Sequence, residues 1–304
     1  MKEPTTYTAA LTPQQAEELE TILKQEGFAF SQRPHTQTFG QREKLTVAIY
    51  EKGPKVVIQG RGTGDFVRYV LEPLVLKEAR LDYDELLNPA AYQPHFGIDE
   101  SGKGDVFGPL VIAGVYTDAA VARKFCELGV ADSKRVTSDA RLRSLAKGIR
   151  AAGAPYELVL IAPARYNQLM AKLGNLNRLL AWGHARVIEN LAARCPECPR
   201  ALSDKFADVR VLERALMKLG RQLVLEQRTK AEADYAVAAA SILAREAFID
   251  WLEKAARPRV LPRGASSSVK DLAREIAREG GREALGRVAK MHFKTVAEVL
   301  EEIS

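Results

Sequence analysis

The sequence has few cysteines and no long apolar run, and each shortage excludes a class of protein. Its 304 residues include only three cysteines, an odd and low number, which argues against a disulfide framework and favours a reducing compartment. The apolar stretches, such as 110–116, are too short to cross a bilayer. Residues 1–11 lack the apolar core of an export signal. We therefore expect a cytoplasmic protein without a membrane anchor.

The composition is that of a soluble protein with packed cores. Apolar residues make up 46% and charged residues 28% of the chain. The formal net charge is +6, and the surplus of positive charge lies after residue 90, because the preceding part is slightly acidic. A basic body is compatible with a polyanionic partner, although a surplus of this size is common in soluble proteins.

The order of patterns predicts two domains. A helix is predicted over 13–27, strands over 45–50 and 55–59, and a second helix over 64–76, which together form a small α+β domain within 1–77. Residues 78–93 are polar and contain Pro89, so we expect a linker there. Strands then alternate with helices through 94–304 and finish in C-terminal helices. This order predicts an α/β domain with a mixed sheet.

The most informative segment is GIDESGKGDVFGP at 97–109. An apolar lead-in runs into Asp99 and Glu100, and carboxylates at a strand end are costly unless a metal or a cationic group compensates them. Gly102 and Gly104 leave the main chain open to a phosphate or a sugar hydroxyl, and Lys103 adds a cation. The alternative interpretation is a charged hairpin turn.

Strand geometry limits what the two adjacent acids can do. Successive residues of a regular strand point to opposite faces, so Asp99 and Glu100 cannot both face one site. Either the strand twists sharply at its end, or only one of the two acids binds a metal directly.

Other acids follow at separate places in the chain. Asp204 ends a short apolar stretch, and Glu232 and Asp234 precede an alanine-rich helix, where helix capping alone would explain them. Carboxylates without His or Cys are the ligands that Mg²⁺ or Mn²⁺ prefer. Two such ions can activate water and stabilise the leaving oxygen of a phosphodiester.

Taken together, these motifs resemble the type 2 ribonucleases H, and among them the bacterial ribonuclease HIII family. The matching residues span most of 97–293 and occur in the family's order: 97–109, Asp132-Ser133-Lys134, Tyr166-Asn167, Gly174-Asn175-Leu176-Asn177 with His184, Ser203-Asp204-Lys205-Phe206, Lys230-Ala231-Glu232 before AVAAASILAR, and Lys290-Met291-His292-Phe293. Two features point to the HIII subtype. This chain has Lys103-Gly104-Asp105 where ribonuclease HII usually has Arg-Gly-Pro, and it carries an N-terminal extension.

The resemblance implies both a fold and an activity. The fold is α/β: a ribonuclease H-like mixed sheet flanked by helices, with a small α+β N-terminal domain. The stretch 45–60 looks like the family's extension, which resembles half of a TATA-binding-protein fold. The implied activity is an endonuclease that cuts the RNA strand of RNA/DNA hybrids with two Mg²⁺ or Mn²⁺ ions, leaving 3′-hydroxyl and 5′-phosphate ends.

The resemblance also assigns candidate site residues. Asp99, Glu100 and Asp204 match the first three family carboxylates; Glu232 is chosen as the fourth, with Asp234 as the alternative. The family's contacts to 2′-hydroxyls and phosphate carry over, position by position, to Ser101, Gly102, Lys103, Gly104 and Lys134. For His184 and His292, hydrogen-bonded packing in the interior is the favoured interpretation.

The N-terminal domain offers a second candidate surface. Leu45, Val47 and Ile49 alternate with outward-facing positions. The candidate contacts to sugar and phosphate are Tyr50, Lys55, Gln59 and Arg61. A plain solvated sheet face is the competing interpretation for each of them.

Two other functions stay open at this stage. One is a ribonuclease HII-type enzyme acting at single embedded ribonucleotides, and the other is a non-catalytic hybrid-binding protein. We expect a monomer without an obligate protein partner. Cys195 and Cys198 form a single CxxC, which we interpret as a helix-to-strand turn, with a reversible disulfide as the minor alternative.

Overall fold

The chain divides into an N-terminal and a C-terminal unit. The structure, a computed structural model, describes residues 5–51, 53–77, 88–130, 136, 138–255 and 259–303. Its backbone forms two compact units, residues 1–89 and 90–304. Most of the predicted linker, and Lys134 among the candidate site residues, lie outside the described residues.

The N-terminal unit is an antiparallel sheet packed against helices. Its strands are β1 (Thr6–Ala10), β2 (Ala29–Phe30), β3 (Thr36–Arg42), β4 (Leu45–Tyr50) and β5 (Lys55–Gly60), in the order β1-β5-β4-β3-β2. Helix α1 (Pro13–Gln25) begins at a capping box formed by Thr12 and Gln15. The second helix, α2 (Thr63–Phe66), continues as a π-helix over Val67–Leu76.

Alternation along the central strands decides the two faces of this sheet. Val47, Ile49, Val56 and Ile58 are fully buried in a core with both helices. The two strands and the two helices were predicted from their periodicity, and the structure contains all four. Strands β1, β2 and β3 were not predicted, because a mostly polar stretch such as TQTFGQR shows little alternation.

The C-terminal unit alternates strands with helices, as predicted. The strands are β6 (His95–Ser101), β7 (Leu110–Thr117), β8 (Tyr156–Ile161), β9 (Arg200–Asp204) and β10 (Val224–Arg228). The helices are α3 (Ala119–Leu128), α4 (Asp139–Ala151), α5 (Pro163–Leu173), α6 (Leu176–Arg194), α7 (Val209–Ala215), α8 (Tyr235–Ala255), α9 (Ser267–Val288) and α10 (Lys294–Ile303).

The sheet of this unit is mixed and covered on both faces. Its strand order is β10-β9-β6-β7-β8. Strand β9 is parallel to both of its neighbours, β10 and β6, whereas β7 is antiparallel to both of its neighbours, β6 and β8. Along β7, Val111, Ala113 and Val115 pack in the core that contains α8, whereas Leu110 and Ile112 pack in the core that contains α6. One strand therefore supplies both hydrophobic cores.

Gly97 lets α8 lie directly against β6. A Cβ added at Gly97 would stand 2.2 Å from the Ala236 carbonyl carbon and 2.2 Å from the Val237 nitrogen. Only a residue without a side chain permits that approach, and it brings the start of α8 beside the strand that carries Asp99.

The remaining expectations concern membranes and cysteines. Among the described residues, no helix is long and apolar enough to cross a membrane. Cys126, Cys195 and Cys198 are free thiols. Cys195 ends α6, and the Cys198 N–H donates to the Cys195 carbonyl at 3.1 Å before β9 begins. The predicted helix-to-strand turn is confirmed.

Candidate active site

Asp99 and Asp204 lie side by side at the ends of two parallel strands. The register between β6 and β9 pairs Ile98 with Ser203, and the two aspartates are the next residue on each strand. Neighbouring strands are about 4.8 Å apart, and paired residues point to the same face. The sheet therefore places these two carboxylates together, although they are far apart in the chain.

Asp99 is a half-buried carboxylate that faces α8. Its side chain is hydrogen-bonded by Ser241 of that helix. Burial, and then the negative charges of Glu100 and Asp204, raise the pKa of Asp99 to about 7, against the opposing effect of Ser241. A carboxylate that is dehydrated among other carboxylates fits a position for a cation.

Glu100 points to the opposite face and is held by His184 and Lys103. His184 Nε2 donates to Glu100 Oε2 at 3.1 Å, and Lys103 Nζ lies 3.5 Å from Glu100 Oε1. Burial alone would raise the pKa of Glu100, but the contacts with His184 and Lys103 outweigh it and lower the pKa. The two acids therefore point to opposite faces, as on a regular strand, and the assignment of only one of them as a direct metal ligand stays a prediction.

His184 connects Glu100 to the strand that ends at Asp204. It is fully buried on α6, its Nδ1 lies 3.1 Å from Ser203 Oγ, and its ring is 4.7 Å from that of Phe206. Hydrogen-bonded packing was the favoured interpretation of this residue. The structure adds that one of its partners is a candidate site carboxylate.

The third acidic segment is tied to Asp204 through the main chain. The Ala231 N–H donates to Asp204 Oδ1 at 3.1 Å, so the short 3₁₀ turn Ala231–Ala233, which contains Glu232, lies beside Asp204.

Asp234 has a helix-capping role. Its Oδ1 accepts hydrogen bonds from the Ala236 and Val237 N–H groups at 2.9 and 3.3 Å and contacts buried His95 Nε2 at 2.9 Å. The capping explanation considered for this position is therefore correct for Asp234, whichever acid binds a metal.

The carboxylates do not form a complete metal cage. Over the described ranges, no group of three or more His, Cys, Asp and Glu side chains could already hold an ion. The donor chemistry nevertheless fits a hard divalent cation, because the neighbouring Asp99 and Asp204 supply only carboxylate oxygens.

The glycine bend, defined as Gly102–Gly108, follows β6 directly. Gly102 and Gly108 both have φ of 87°, a conformation that favours glycine, and a Cβ at Gly102 would stand 2.2 Å from the Pro109 carbonyl oxygen. Gly104 is exposed, and a Cβ there would meet no described atom within 4 Å. The bend is thus tightly packed at Gly102 and Gly108 and open at Gly104. Half-buried Ser101 precedes it.

The structure brings three of the four predicted N-terminal contacts to one face. The register pairs Tyr50 with Lys55 and Thr46 with Gln59, opposite the buried residues of the same strands. Lys55 Nζ lies 5.3 Å from the Tyr50 ring centre. Arg61 is not on the strand; it lies in the turn after β5, where its N–H donates to the Lys44 carbonyl.

Two further residues of this face were missed. Phe39 pairs with outward-facing Ala48, and Arg33 lies 5.0 Å from the Phe39 ring centre. Their signal was weak, because β3 is largely polar. In the C-terminal unit, Ser241 was also missed, since it lies within an alanine-rich motif that reads as packing.

A mixed sheet with acids at adjacent strand ends is typical of a metal-dependent phosphodiester hydrolase. Residues 96–296 match the family model "Ribonuclease HII". Ribonuclease HIII of Protochlamydia amoebophila is 41% identical over 98% of this chain and 97% of its own length. Ribonuclease HIII of Chlamydia muridarum is 41% identical over 99% of both chains.

Solved structures agree with the sequence relatives. Bst-RNase HIII in complex with Mn²⁺ superposes with a TM-score of 0.67 at 25% identity, covering 98% of each chain. Aquifex aeolicus RNase H3 gives a TM-score of 0.55 at 28% identity, covering 95% of this chain and all of its own.

The chain belongs to the ribonuclease HII family and, within it, to the ribonuclease HIII group of these relatives. It is therefore a ribonuclease of the H type, and the fold predicted from the sequence is confirmed.

Proposed function

We propose that this protein cleaves the RNA strand of RNA/DNA hybrids by metal-dependent hydrolysis, leaving 3′-hydroxyl and 5′-phosphate ends. The observation that carries the proposal is the pair Asp99 and Asp204, which stand on one face at the ends of adjacent parallel strands. The ribonuclease HIII relatives, which align with nearly the whole chain, support the hybrid as substrate.

Asp99, Asp204 and Glu232 are the residues that would hold two divalent ions, Mg²⁺ or Mn²⁺. When bound, such ions activate the attacking water and stabilise the charge on the leaving oxygen. The Mn²⁺ complex of Bst-RNase HIII supports divalent ion use in this group. Asp234 remains the alternative to Glu232, and the two are separated by a test in the Discussion.

The other residues of the site bind and orient the substrate. Glu100, which contacts His184 and Lys103, would accept a hydrogen bond from a ribose 2′-hydroxyl. The open main chain at Gly104 allows close approach of the sugar, and Lys103 contributes a cation for a neighbouring phosphate. DNA lacks the 2′-hydroxyl, so this arrangement would select RNA.

The N-terminal sheet face would bind the sugar-phosphate backbone of the duplex. Tyr50, Lys55 and Gln59 share one face with Phe39 and Arg33, a mixture of aromatic and cationic groups suited to sugar and phosphate. Lys134 and Arg61 are retained as candidate phosphate contacts.

The experiment is a cleavage assay with carboxylate variants. Asp99→Asn and Asp204→Asn should each lower kcat for a labelled RNA/DNA hybrid by at least about a thousandfold, because an amide cannot replace the charge of a metal ligand. Asp271→Asn, at a carboxylate that is 72% exposed and paired with Arg274, is the matched control and should keep full activity.

The substrates and metals of the assay separate the alternatives. Parallel reactions use a long hybrid, an RNA duplex and a duplex with one embedded ribonucleotide, each with Mg²⁺, Mn²⁺ or a chelator. Preference for the single ribonucleotide would indicate a ribonuclease HII-type activity. Near-normal cleavage by Asp99→Asn would reject the metal-site assignment, and hybrid binding without metal-dependent cleavage would indicate a binding protein.

A further inference from the structure

Residues 288–290 pair with the main chain of the glycine bend. The Gly108 N–H donates to the Val288 carbonyl at 2.9 Å, and the Lys290 N–H donates to the Val106 carbonyl at 2.8 Å. Phe107 and Ala289 form an isolated antiparallel bridge. This end of the bend therefore contacts residues that lie 183 to 185 positions later in the chain, as in the contacts of Lys290.

The Lys290 side chain also contacts the main chain of the bend. It is fully buried, and its Nζ donates to the Asp105 carbonyl at 2.8 Å and lies 3.5 Å from the Phe107 carbonyl. Buried main-chain carbonyls need a donor, because water cannot reach them. Burying a lysine is itself costly, so the contacts with the bend compensate for that cost.

Aromatic packing couples Lys290 to the substrate end of the bend. Lys290 Nζ lies 5.9 Å from the Phe248 ring centre. A Cβ at Gly102 would stand 2.9 Å from the Phe248 ring, and one at Gly108 would stand 2.8 Å from it. The ring therefore packs against both ends of the bend. Because the packing is tight, a displacement of the bend at Asp105 or Phe107 would also displace Gly102.

We propose that Lys290 is a positioning residue that fixes the glycine bend in the conformation with which Gly102–Gly104 distinguish ribose from deoxyribose. The proposal rests on the proposed function. It does not depend on the charge of Lys290: burial lowers the pKa of this amine to about 7, but the neutral amine keeps N–H groups for the carbonyls. No contact of Lys290 with the substrate is required.

The test compares Lys290→Met with Lys294→Met. The first variant keeps an unbranched side chain but removes the donors, and the second removes an amine whose side chain is 91% exposed. Dissociation constants for an RNA/DNA hybrid and for a DNA duplex of the same sequence are measured in chelator, and kcat and KM for the hybrid with Mg²⁺. In Lys290→Met we expect the preference for the hybrid to shrink and kcat to fall, each about tenfold, whereas Lys294→Met should match the wild type.

A change in stability alone would not alter the ratio of two dissociation constants at a temperature where the variant is folded. A folded Lys290→Met variant with unchanged preference and kcat would therefore overturn the role of Lys290. If the wild type itself does not cleave the hybrid with Mg²⁺, the proposed function fails instead; if it cleaves the hybrid but binds both duplexes equally, the role of Lys290 fails.

Amide hydrogen exchange keeps the proposal testable if Lys290→Met does not fold. In the wild type, the Val106 and Gly108 amides should exchange at least about tenfold more slowly than the turn at Gly53. In Lys290→Gln, which has a shorter side chain with one amide group, that protection should fall about tenfold and the hybrid preference should shrink. Unchanged protection in Lys290→Gln, or an unprotected bend in the wild type, would contradict the proposal.

Discussion

At the scale of the residue, the site is defined by what each carboxylate contacts. Asp99 lies near other acids and Ser241, Glu100 contacts His184 and Lys103, and Asp234 contacts helix N–H groups and His95. Chemically similar side chains thus acquire different tasks from their surroundings.

The raised pKa of Asp99 predicts a pH-dependent stability of the metal-free protein. Between the usual aspartate pKa near 4 and the folded value of about 7, the unfolded chain loses a proton that the folded chain keeps, so this group lowers stability as pH rises. Asp99→Asn has no titrating carboxyl group at this position, so it lacks this decrease in stability. Melting curves in chelator should therefore show the variant gaining stability relative to the wild type from pH 4 to pH 7, with little further change above.

Divalent ions supply the control for that experiment. Mg²⁺ or Mn²⁺ should stabilise the wild type at pH 8 more than Asp99→Asn, because only the wild type retains the charged ligand. A difference between the two proteins that does not vary with pH would contradict the assignment of a pKa near 7.

Removing His184 should affect the reaction more than substrate binding. His184→Ala leaves Glu100 without its buried donor, so we expect kcat to fall about 10- to 100-fold, with a smaller change in KM. The free energy of unfolding should also fall by about 1–3 kcal/mol. Exposed His35, at a positive φ of 63°, gives the control His35→Asn. Equal kcat values for the two variants would show that His184 has no role in the reaction.

The fourth carboxylate can be identified by comparing activity with stability. Asp234→Asn weakens a helix cap and the His95 contact, so we expect a loss of about 1–2 kcal/mol in stability. Glu232→Gln should abolish metal-dependent cleavage with a smaller loss of stability. If instead Asp234→Asn abolishes cleavage while Glu232→Gln retains it, Asp234 is the metal ligand.

At the scale of the element, strand register and one glycine place the site. The parallel pairing of β6 with β9 brings Asp99 beside Asp204, and Gly97 lets α8 come close enough for Ser241 to reach Asp99. The glycine bend then continues from β6 without an intervening element.

Two glycine variants test this arrangement. Gly97→Ala forces a Cβ into the main chain of α8, so we expect a loss of about 3 kcal/mol or more in the free energy of unfolding. Gly104→Ala meets open space among the described atoms and should change stability by less than about 0.5 kcal/mol. If a ribose approaches this glycine, Gly104→Ala should nevertheless lower kcat/KM for the hybrid about tenfold. Denaturant titration and cleavage kinetics measure both effects.

At the scale of the whole molecule, each of the two units has its own hydrophobic core. Among the described residues, the core of the N-terminal unit is formed by residues from 7–76, and the cores of the C-terminal unit are formed by residues after 90. If the N-terminal unit binds the duplex, as proposed, we expect that duplex binding and hydrolysis can be changed independently.

A chain lacking residues 1–89 should therefore bind the hybrid more weakly while retaining most of kcat at saturation. For the full chain, affinity should fall as salt rises, because contacts to phosphate release counterions, and the slope of log Kd against log salt should be smaller for the truncated chain. Lys55→Ala should reproduce part of the change in slope. An unchanged dissociation constant after truncation would reject the binding role of this unit.

Much of the fold could be predicted from the sequence because local patterns report local structure. Alternation at 45–50, the helical pattern that begins at Pro13 and the apolar lead-in to Asp99 each reflect the geometry of one element. Strands with polar sequences, such as β3, could not be predicted, because their pairing depends on neighbours elsewhere in the chain. The site residues stay a prediction until the variants are measured.

By itself, the sequence determined the chemistry available: acids at strand ends, a glycine-rich bend, a second small domain and a family of relatives. Only the tertiary structure decided that Asp99 and Glu100 face opposite sides of the sheet, that His184 holds Glu100, that Asp234 caps a helix, and that Lys290 lies under the bend. The physical reason is that each of these contacts, apart from the cap, joins residues from distant segments. Such contacts form only when two elements pack, and neither periodicity nor composition along one segment records them.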